Sequence, residues 1–187
     1  APQLMRALAA LHAVDWRARG LDFLGVPGAG DAAAREVARW QARIDASGLT
    51  PDPVLVEALL WLRRHAPASD HVALLHGDYR LGNWLIERDA AGPRLTGILD
   101  WEMVHLGDPI EDVAWCISHL WRGQTPRAAC LAAPEDLVAL YEEAAGFRVD
   151  RDVLRYYEVL AVVKMAAIML TGIRAFRDGR TADLRMA

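Results

Sequence analysis

A mainly helical domain with one small β-hairpin, an α+β arrangement, is what this 187-residue sequence predicts. Three observations carry that expectation. Apolar residues recur at helical spacing on both sides of the chain's middle. Between them, two strand-like runs, Trp84-Leu85-Ile86 and Leu95-Thr96-Gly97-Ile98-Leu99, flank the polar stretch Arg88-Asp89-Ala90-Ala91-Gly92-Pro93. The length suits one sizeable domain and is too short for two large ones.

The elements follow in order. Gln3 to Val14 sets Leu4, Leu8, Leu11 and His12 on one helical stripe. Gly20 to Gly30, rich in Gly and Pro, is a loop. Asp31 is the expected cap of a helix from Ala32 to Ala46, whose apolar face carries Val37, Trp40 and Ile44. Asp52 caps the next, with Pro53 at its first position, running to about His65. Val72-Ala73-Leu74-Leu75 is a short apolar run that leads into the hairpin region. Asp108, Pro109 and Glu111 together form a capping-box arrangement for a helix reaching about Trp121. Pro134 to Ala145 is helical with Gly146 past its end, and Asp150 opens the longest helix, through to about Phe176.

Composition narrows the function classes. The net charge is −4, with 21 basic and 25 acidic residues, which argues against nucleic acid because phosphate-backbone binders concentrate cations on one face. Lys164 is the only lysine, so the other positive side chains are arginines. Cys116 and Cys130 lie 14 apart with no Cys-x-x-Cys and read as reduced thiols, consistent with a cytoplasmic protein. No uninterrupted apolar run reaches a membrane span, so no membrane partner is expected; the richest stretch, Val159 to Leu170, is broken by Lys164. The chain starts at Ala1 without a signal-peptide pattern, as expected of a piece of a longer protein.

The chemistry concentrates in His76-Gly77-Asp78-Tyr79-Arg80-Leu81-Gly82-Asn83. Moving a phosphoryl group from ATP to a hydroxyl needs a carboxylate to orient the hydroxyl and take its proton, plus oxygen ligands for the metal on the triphosphate. An Asp, an Asn five residues on, and a second Asp after a hairpin is the spacing by which kinases supply these. Asp78, Asn83 and Asp100 have it. The hairpin carries the chain out and back, returning Asp100 opposite Asn83, and two hard oxygen ligands suit Mg²⁺.

His76-Gly77-Asp78-x-x-x-x-Asn83, with Ile98-Leu99-Asp100-Trp101-Glu102 and Gly107-Asp108-Pro109-x-x-Asp112-Val113-Ala114, resembles the aminoglycoside phosphotransferase and choline kinase superfamily. The kinase-like domains joined to acyl-CoA dehydrogenases are the nearest set. Leu8-Ala9-Ala10-Leu11-His12-Ala13-Val14-Asp15 is similar to the helix after that family's hinge. The resemblance implies the C-terminal lobe of a protein-kinase-like fold, with the N-terminal β-lobe absent. It divides the chain into a post-hinge helix (1–19), a helical insert (20–70), a segment with the catalytic loop, hairpin and metal Asp (71–107), and C-terminal helices (108–187).

The same resemblance implies site roles. Asp78 would be the catalytic base, and Asn83 and Asp100 would bind Mg²⁺. His76 and Asp112 would support the catalytic loop, and Arg80 and Glu102 would face the phosphates or the substrate. Trp101, Asp22, Arg35 and Arg39 would line the acceptor site. Implied partners are a nucleotide, a hydroxylated small molecule and the missing N-terminal lobe, without which the fragment is expected to be inactive. An amino-alcohol, antibiotic, sugar, hydroxy acid or CoA ester all remain open as acceptor, with Arg35, Arg39 and Arg43 hinting at an anion.

Blander roles compete. A non-catalytic kinase-like binding module is the alternative to an enzyme. Among single residues, Asp108 reads as a helix cap rather than a ligand. His12, His65, His71, His105 and His119 show no metal spacing and are assigned to surface or packing. Trp40, Trp61, Trp84, Trp115 and Trp121 read as core, Trp16 lies near a loop, and Glu142 and Glu143 read as a solvated face.

Overall fold

The helical periodicity translates into six α-helices around two small sheets in a computed structural model that describes residues 1–69, 71–90 and 92–183. Asp70 at the end of the expected insert and Ala91 in the expected hairpin loop lie outside the described residues, as do residues 184–187. The order is α1 (Pro2–His12), α2 (Ala32–Ser47), α3 (Pro53–Arg64), β1 (Ala73–Leu75), β2 (Trp84–Asp89), β3 (Gly92–Ile98), β4 (His105–Gly107), α4 (Ile110–Ile117), α5 (Pro134–Ala145) and α6 (Arg151–Arg177). β2 and β3 form the expected antiparallel hairpin, with a register shift between Leu85 and Ile86. Its strands extend into the stretch expected to be loop.

A second sheet has no counterpart in the sequence reading. β1 pairs antiparallel with β4, Leu74 opposite Leu106 and Leu75 opposite His105. His105-Leu106-Gly107 is too short to show strand alternation, and all of it is buried. The pairing matters because β1 leads into Asp78 and β4 follows Asp100, so the ladder fixes both loops at one end.

α6 is the spine. Its Leu154, Tyr157, Leu160, Val163 and Ala167 join the main core, and it packs on α2, α3 and α4. Among the described residues it is also one helix that length and composition alone would allow to cross a membrane, although no uninterrupted apolar run in it reaches that length. The helix runs for 27 residues, as the sequence predicts from Asp150 to about Phe176, and Lys164 interrupts its apolar middle. α1 packs along α5, where His12 and Tyr141 meet at 2.8 Å.

Several caps behave as expected. The Asp52 carboxylate accepts the Val54 N–H at 2.8 Å, and that of Asp150 accepts Asp152 N–H at 2.8 Å and Val153 N–H at 3.3 Å. Gly146 ends α5 with a φ of 78°, the left-handed turn a glycine enters freely.

Others do not. Asp31 makes no side-chain cap, because its own backbone is already helical and turns the carboxylate away. The capping box is half formed: Asp108 Oδ1 accepts Ile110 N–H at 2.9 Å, but Glu111 turns inward to His105 and Lys164 instead of back to the cap. α4 stops at Ile117 rather than Trp121. Ser118 is extended there, and its hydroxyl caps a separate 3-10 turn, His119–Trp121.

Trp16 is buried and its indole N–H donates to Val72 O at 3.0 Å, which ties the post-hinge loop to the strand region. One packing expectation also changes. Glu142 is buried rather than solvated: its carboxylate accepts from Val149 N–H, Arg148 and Arg151, and so splices the end of α5 to the start of α6.

Candidate active site

Gly77 sets the loop geometry. Its φ of 79° is left-handed, and a Cβ there would drive into the carbonyl oxygen of Met103. Only glycine tolerates both conditions, so the catalytic loop lies directly against the loop that bears Asp100. The peptide groups around Gly77 are fully engaged. Asp112 accepts His76 N–H at 2.7 Å on one carboxylate oxygen and Gly77 N–H at 2.9 Å on the other. Asp78 N–H donates to His76 Nδ1 at 3.1 Å.

The rest of His76 is assigned by its partners. Nε2 faces the carbonyl of Leu99 at 2.9 Å and must donate, while Nδ1 must accept from Asp78 N–H. The ring is therefore the neutral Nε2–H tautomer. Buried and fully committed, it is a strut between the two loops, which leaves it no free proton to exchange with a ligand.

Asp78 is buried and its carboxylate is crowded with donors. Trp115 Nε1–H reaches Oδ1 at 2.8 Å, Arg80 Nε lies 3.0 and 3.1 Å from the two oxygens, and Asn83 Nδ2 reaches Oδ2 at 2.7 Å. Asn83 Nδ2 also donates to the Asp78 carbonyl at 2.9 Å. Two acceptors on one side of the amide identify that side as NH₂, so Asn83 Oδ1 faces away from Asp78.

Asp100 arrives beside Asn83 because Leu99 is pinned on both sides. Leu99 N–H donates to Asn83 O at 2.8 Å, and Leu99 O accepts from His76. Asp100 itself is exposed and held at a φ of 64°, a left-handed conformation that Asp tolerates better than most side chains. Asn83 Oδ1 and the Asp100 carboxylate are hard oxygen donors, the set that suits Mg²⁺. Asp78 and Asn83 thus touch directly, and the residue before Asp100 is bonded to both Asn83 and His76.

The supporting residues are placed with equal clarity. Asp112 is fully buried at the start of α4. Burial pushes its pKa upward, but the hydrogen bond and charge of His12, the charge of Lys164 and the His76 N–H outweigh it and hold the carboxyl below its usual range. Tyr79 sends its hydroxyl to Leu4 O at 2.7 Å and so fixes the catalytic loop to α1.

The outer residues are more scattered. Arg80 lies on Asp78 itself, with its guanidinium 4.9 Å from the Trp121 ring centroid, rather than reaching outward. Trp101 is 40% exposed, lies tilted against the His76 ring with centroids 4.6 Å apart, and donates to Ile98 O. Glu102 is exposed next to it. Asp22 is exposed on a 3-10 turn, Leu21–Leu24. Arg35 donates to Gly25 O at 2.6 Å and Arg39 pairs with Glu36 at 3.4 Å, so both brace the insert.

Two residues escaped the sequence reading. Trp115, read as core, holds the Asp78 carboxylate; it lies three positions after Asp112 and therefore on the same face of α4, which is the signal that could have found it. Lys164 donates to Gly77 O, and its signal is a lone cation inside an apolar helix, which must find a partner.

This α+β arrangement is a kinase-like fold. Comparison with known proteins supplies the family: the profile of the phosphotransferase enzyme family matches residues 1–156, and the chain belongs to that family. Acyl-CoA dehydrogenase family member 11 of Gallus gallus is 30% identical over 178 residues, 88% of this chain and 22% of that protein. Member 10 of Mus musculus is 34% identical over 115 residues, 61% of this chain and 10% of that protein. The chain thus spans a quarter or less of the length of these relatives.

Among solved structures, one from Ralstonia eutropha JMP134 named for the aminoglycoside phosphotransferases superimposes with a TM-score of 0.81 at 26% identity, over 98% of this chain and 58% of that one. A macrolide 2′-phosphotransferase from Brachybacterium faecium shares the fold, with a TM-score of 0.62 at 23% identity over 99% of this chain and 57% of that one. The remainder of each has no counterpart in these 187 residues.

Proposed function

We propose that the chain is the acceptor-activating and metal-binding lobe of an ATP- and Mg²⁺-dependent phosphotransferase that acts on the hydroxyl of a small molecule, and that it works only together with an N-terminal lobe. The observation that carries this reading is the Asp78 carboxylate, oriented by Trp115, Arg80 and Asn83, next to an Asp100 loop pinned between His76 and Asn83.

Asp78 orients the acceptor hydroxyl and takes its proton as the hydroxyl oxygen bonds to the γ-phosphorus and the bond to the ADP oxygen breaks. Asn83 Oδ1 and the Asp100 carboxylate would hold Mg²⁺, which supplies neutralisation of the triphosphate charge. Arg80 holds the Asp78 carboxylate from the loop side. His76 and Asp112 keep the loop backbone fixed throughout, because neither has a hydrogen-bonding position left over for substrate.

The intact protein should transfer phosphate from ATP in the presence of Mg²⁺ to at least one member of a panel of amino-alcohols, sugars, hydroxylated antibiotics, hydroxy acids and hydroxyacyl thioesters. The isolated 187-residue lobe should transfer to none. Binding of Mg-nucleotide without transfer to any acceptor would favour a non-catalytic module instead.

A further inference from the structure

Lys164 is the single lysine, it is 1% exposed, and the roles above leave it unused. It projects from the middle of α6 to the underside of the catalytic loop. Its ammonium group donates to the carbonyl oxygen of Gly77 and lies 3.3 Å from Glu111 Oε1. Its remaining face covers the Trp115 ring, 4.4 Å from the centroid.

Both contacts lead to Asp78. The Gly77 carbonyl belongs to the peptide unit that joins Gly77 to Asp78, whose N–H donates to His76 Nδ1. One peptide plane is therefore held at its oxygen by Lys164 and at its nitrogen by His76. Trp115 in turn holds the Asp78 carboxylate through its indole N–H.

Behind Lys164 the charges close on themselves. Glu111 also faces His105 at 3.3 Å, and Glu36 lies 3.8 Å from the same ring nitrogen. His105 Nδ1 faces the Met103 carbonyl at 2.9 Å, so both ring nitrogens donate and the ring is an imidazolium. The two buried acids are thus met by His105, by Lys164 and, at Glu36, by Arg39.

We propose that Lys164 is a positioning residue for phosphoryl transfer, fixing the Gly77–Asp78 peptide and the Trp115 indole so that the Asp78 carboxylate points at the acceptor. The proposal rests on Asp78 being the base. Packing alone gives no reason for an ammonium group here, since a methionine fills similar space without the cost of burying a charge. What the lysine adds is its hold on the Gly77 oxygen.

Lys164→Met alone strands the Glu111 carboxylate in the core and threatens the fold. The informative variant of the intact protein is Lys164→Met with Glu111→Gln, which removes both charges and keeps the volumes. Its melting temperature should stay within a few degrees of the parent. Its kcat should fall about 10- to 100-fold with KM for ATP changed less than about twofold, because displacement of a positioned group costs rate more than binding. Parental kcat in a folded double variant overturns the proposal.

Should the parent transfer no phosphate, the kinase reading fails and amide hydrogen exchange still decides the role of Lys164. Exchange of the Asp78 N–H about tenfold faster in the double variant, with the amides of β1 and β4 unchanged, supports the hold on the loop. Equal protection in both proteins refutes it.

Discussion

At the scale of single residues, the site is organised by who donates to Asp78 and who can only accept. The indole of Trp115 donates to its carboxylate from a buried helix, 2.8 Å away, while Arg80 and Asn83 donate from the loop itself. Trp115→Phe keeps an aromatic ring against Lys164, deletes that N–H and leaves a small cavity where the five-membered ring was. A hydrogen bond to a charged group is worth about 1.5–3 kcal/mol, so kcat should fall about 10- to 100-fold with an unchanged fold by circular dichroism. A second residue-scale outcome concerns the thiols. Burial, and then the nearby Asp112 charge, push the Cys116 pKa up to about 12, whereas Cys130 is exposed. A thiol reagent at neutral pH should label one cysteine in the folded protein and two after unfolding, countable by mass spectrometry.

At the scale of elements, caps and tethers matter more than strand or helix propensity. The Asp150 carboxylate satisfies two free N–H groups at the start of α6, the helix on which α2, α3 and α4 pack. Asp150→Ala should therefore cost about 1 kcal/mol, read as a fall of roughly 2–4 °C in melting temperature. This cap was legible in the sequence, as were the hairpin and the spacing of Asp78, Asn83 and Asp100, because each is encoded within a few neighbouring residues. β4 was not, since three residues carry no period and the strand exists only because β1 pairs with it. The inward turn of Glu111 was hidden for a related reason. Its position suited a capping box, and the competing partners, His105 and Lys164, come from a different strand and a distant helix. Glu142 was misassigned similarly, because its residue type suited the surface, and Trp115, buried as read, has a polar partner that only the fold shows.

At the scale of the whole molecule, the buried ion network couples the insert, both sheet loops and α6, and it should show in the pH dependence of stability. Burial works to lower the His105 pKa, but the charge and hydrogen bond of Glu111 and the charge of Glu36 outweigh it and raise it from 6.5 to about 9. A raised folded pKa contributes stability that is fully present below pH 6.5 and is lost as pH rises through about 9. Chemical denaturation should show a loss of about 3 kcal/mol across that window, absent in His105→Gln. Asp112 works at the opposite end: its lowered pKa gives stability present above pH 3.8 and lost as pH falls further.

The same scale holds the central claim, that these loops serve phosphoryl transfer once the lobe is part of its intact chain. The direct measurement is transfer from ATP by the intact protein and by its Asp78→Ala variant, with Mg-nucleotide affinity measured in parallel. Loss of a positioned base predicts a fall of about 10²- to 10⁴-fold in turnover with nucleotide affinity preserved. Neither transfer nor Mg-nucleotide binding by the intact protein, or undiminished turnover in Asp78→Ala, would contradict it.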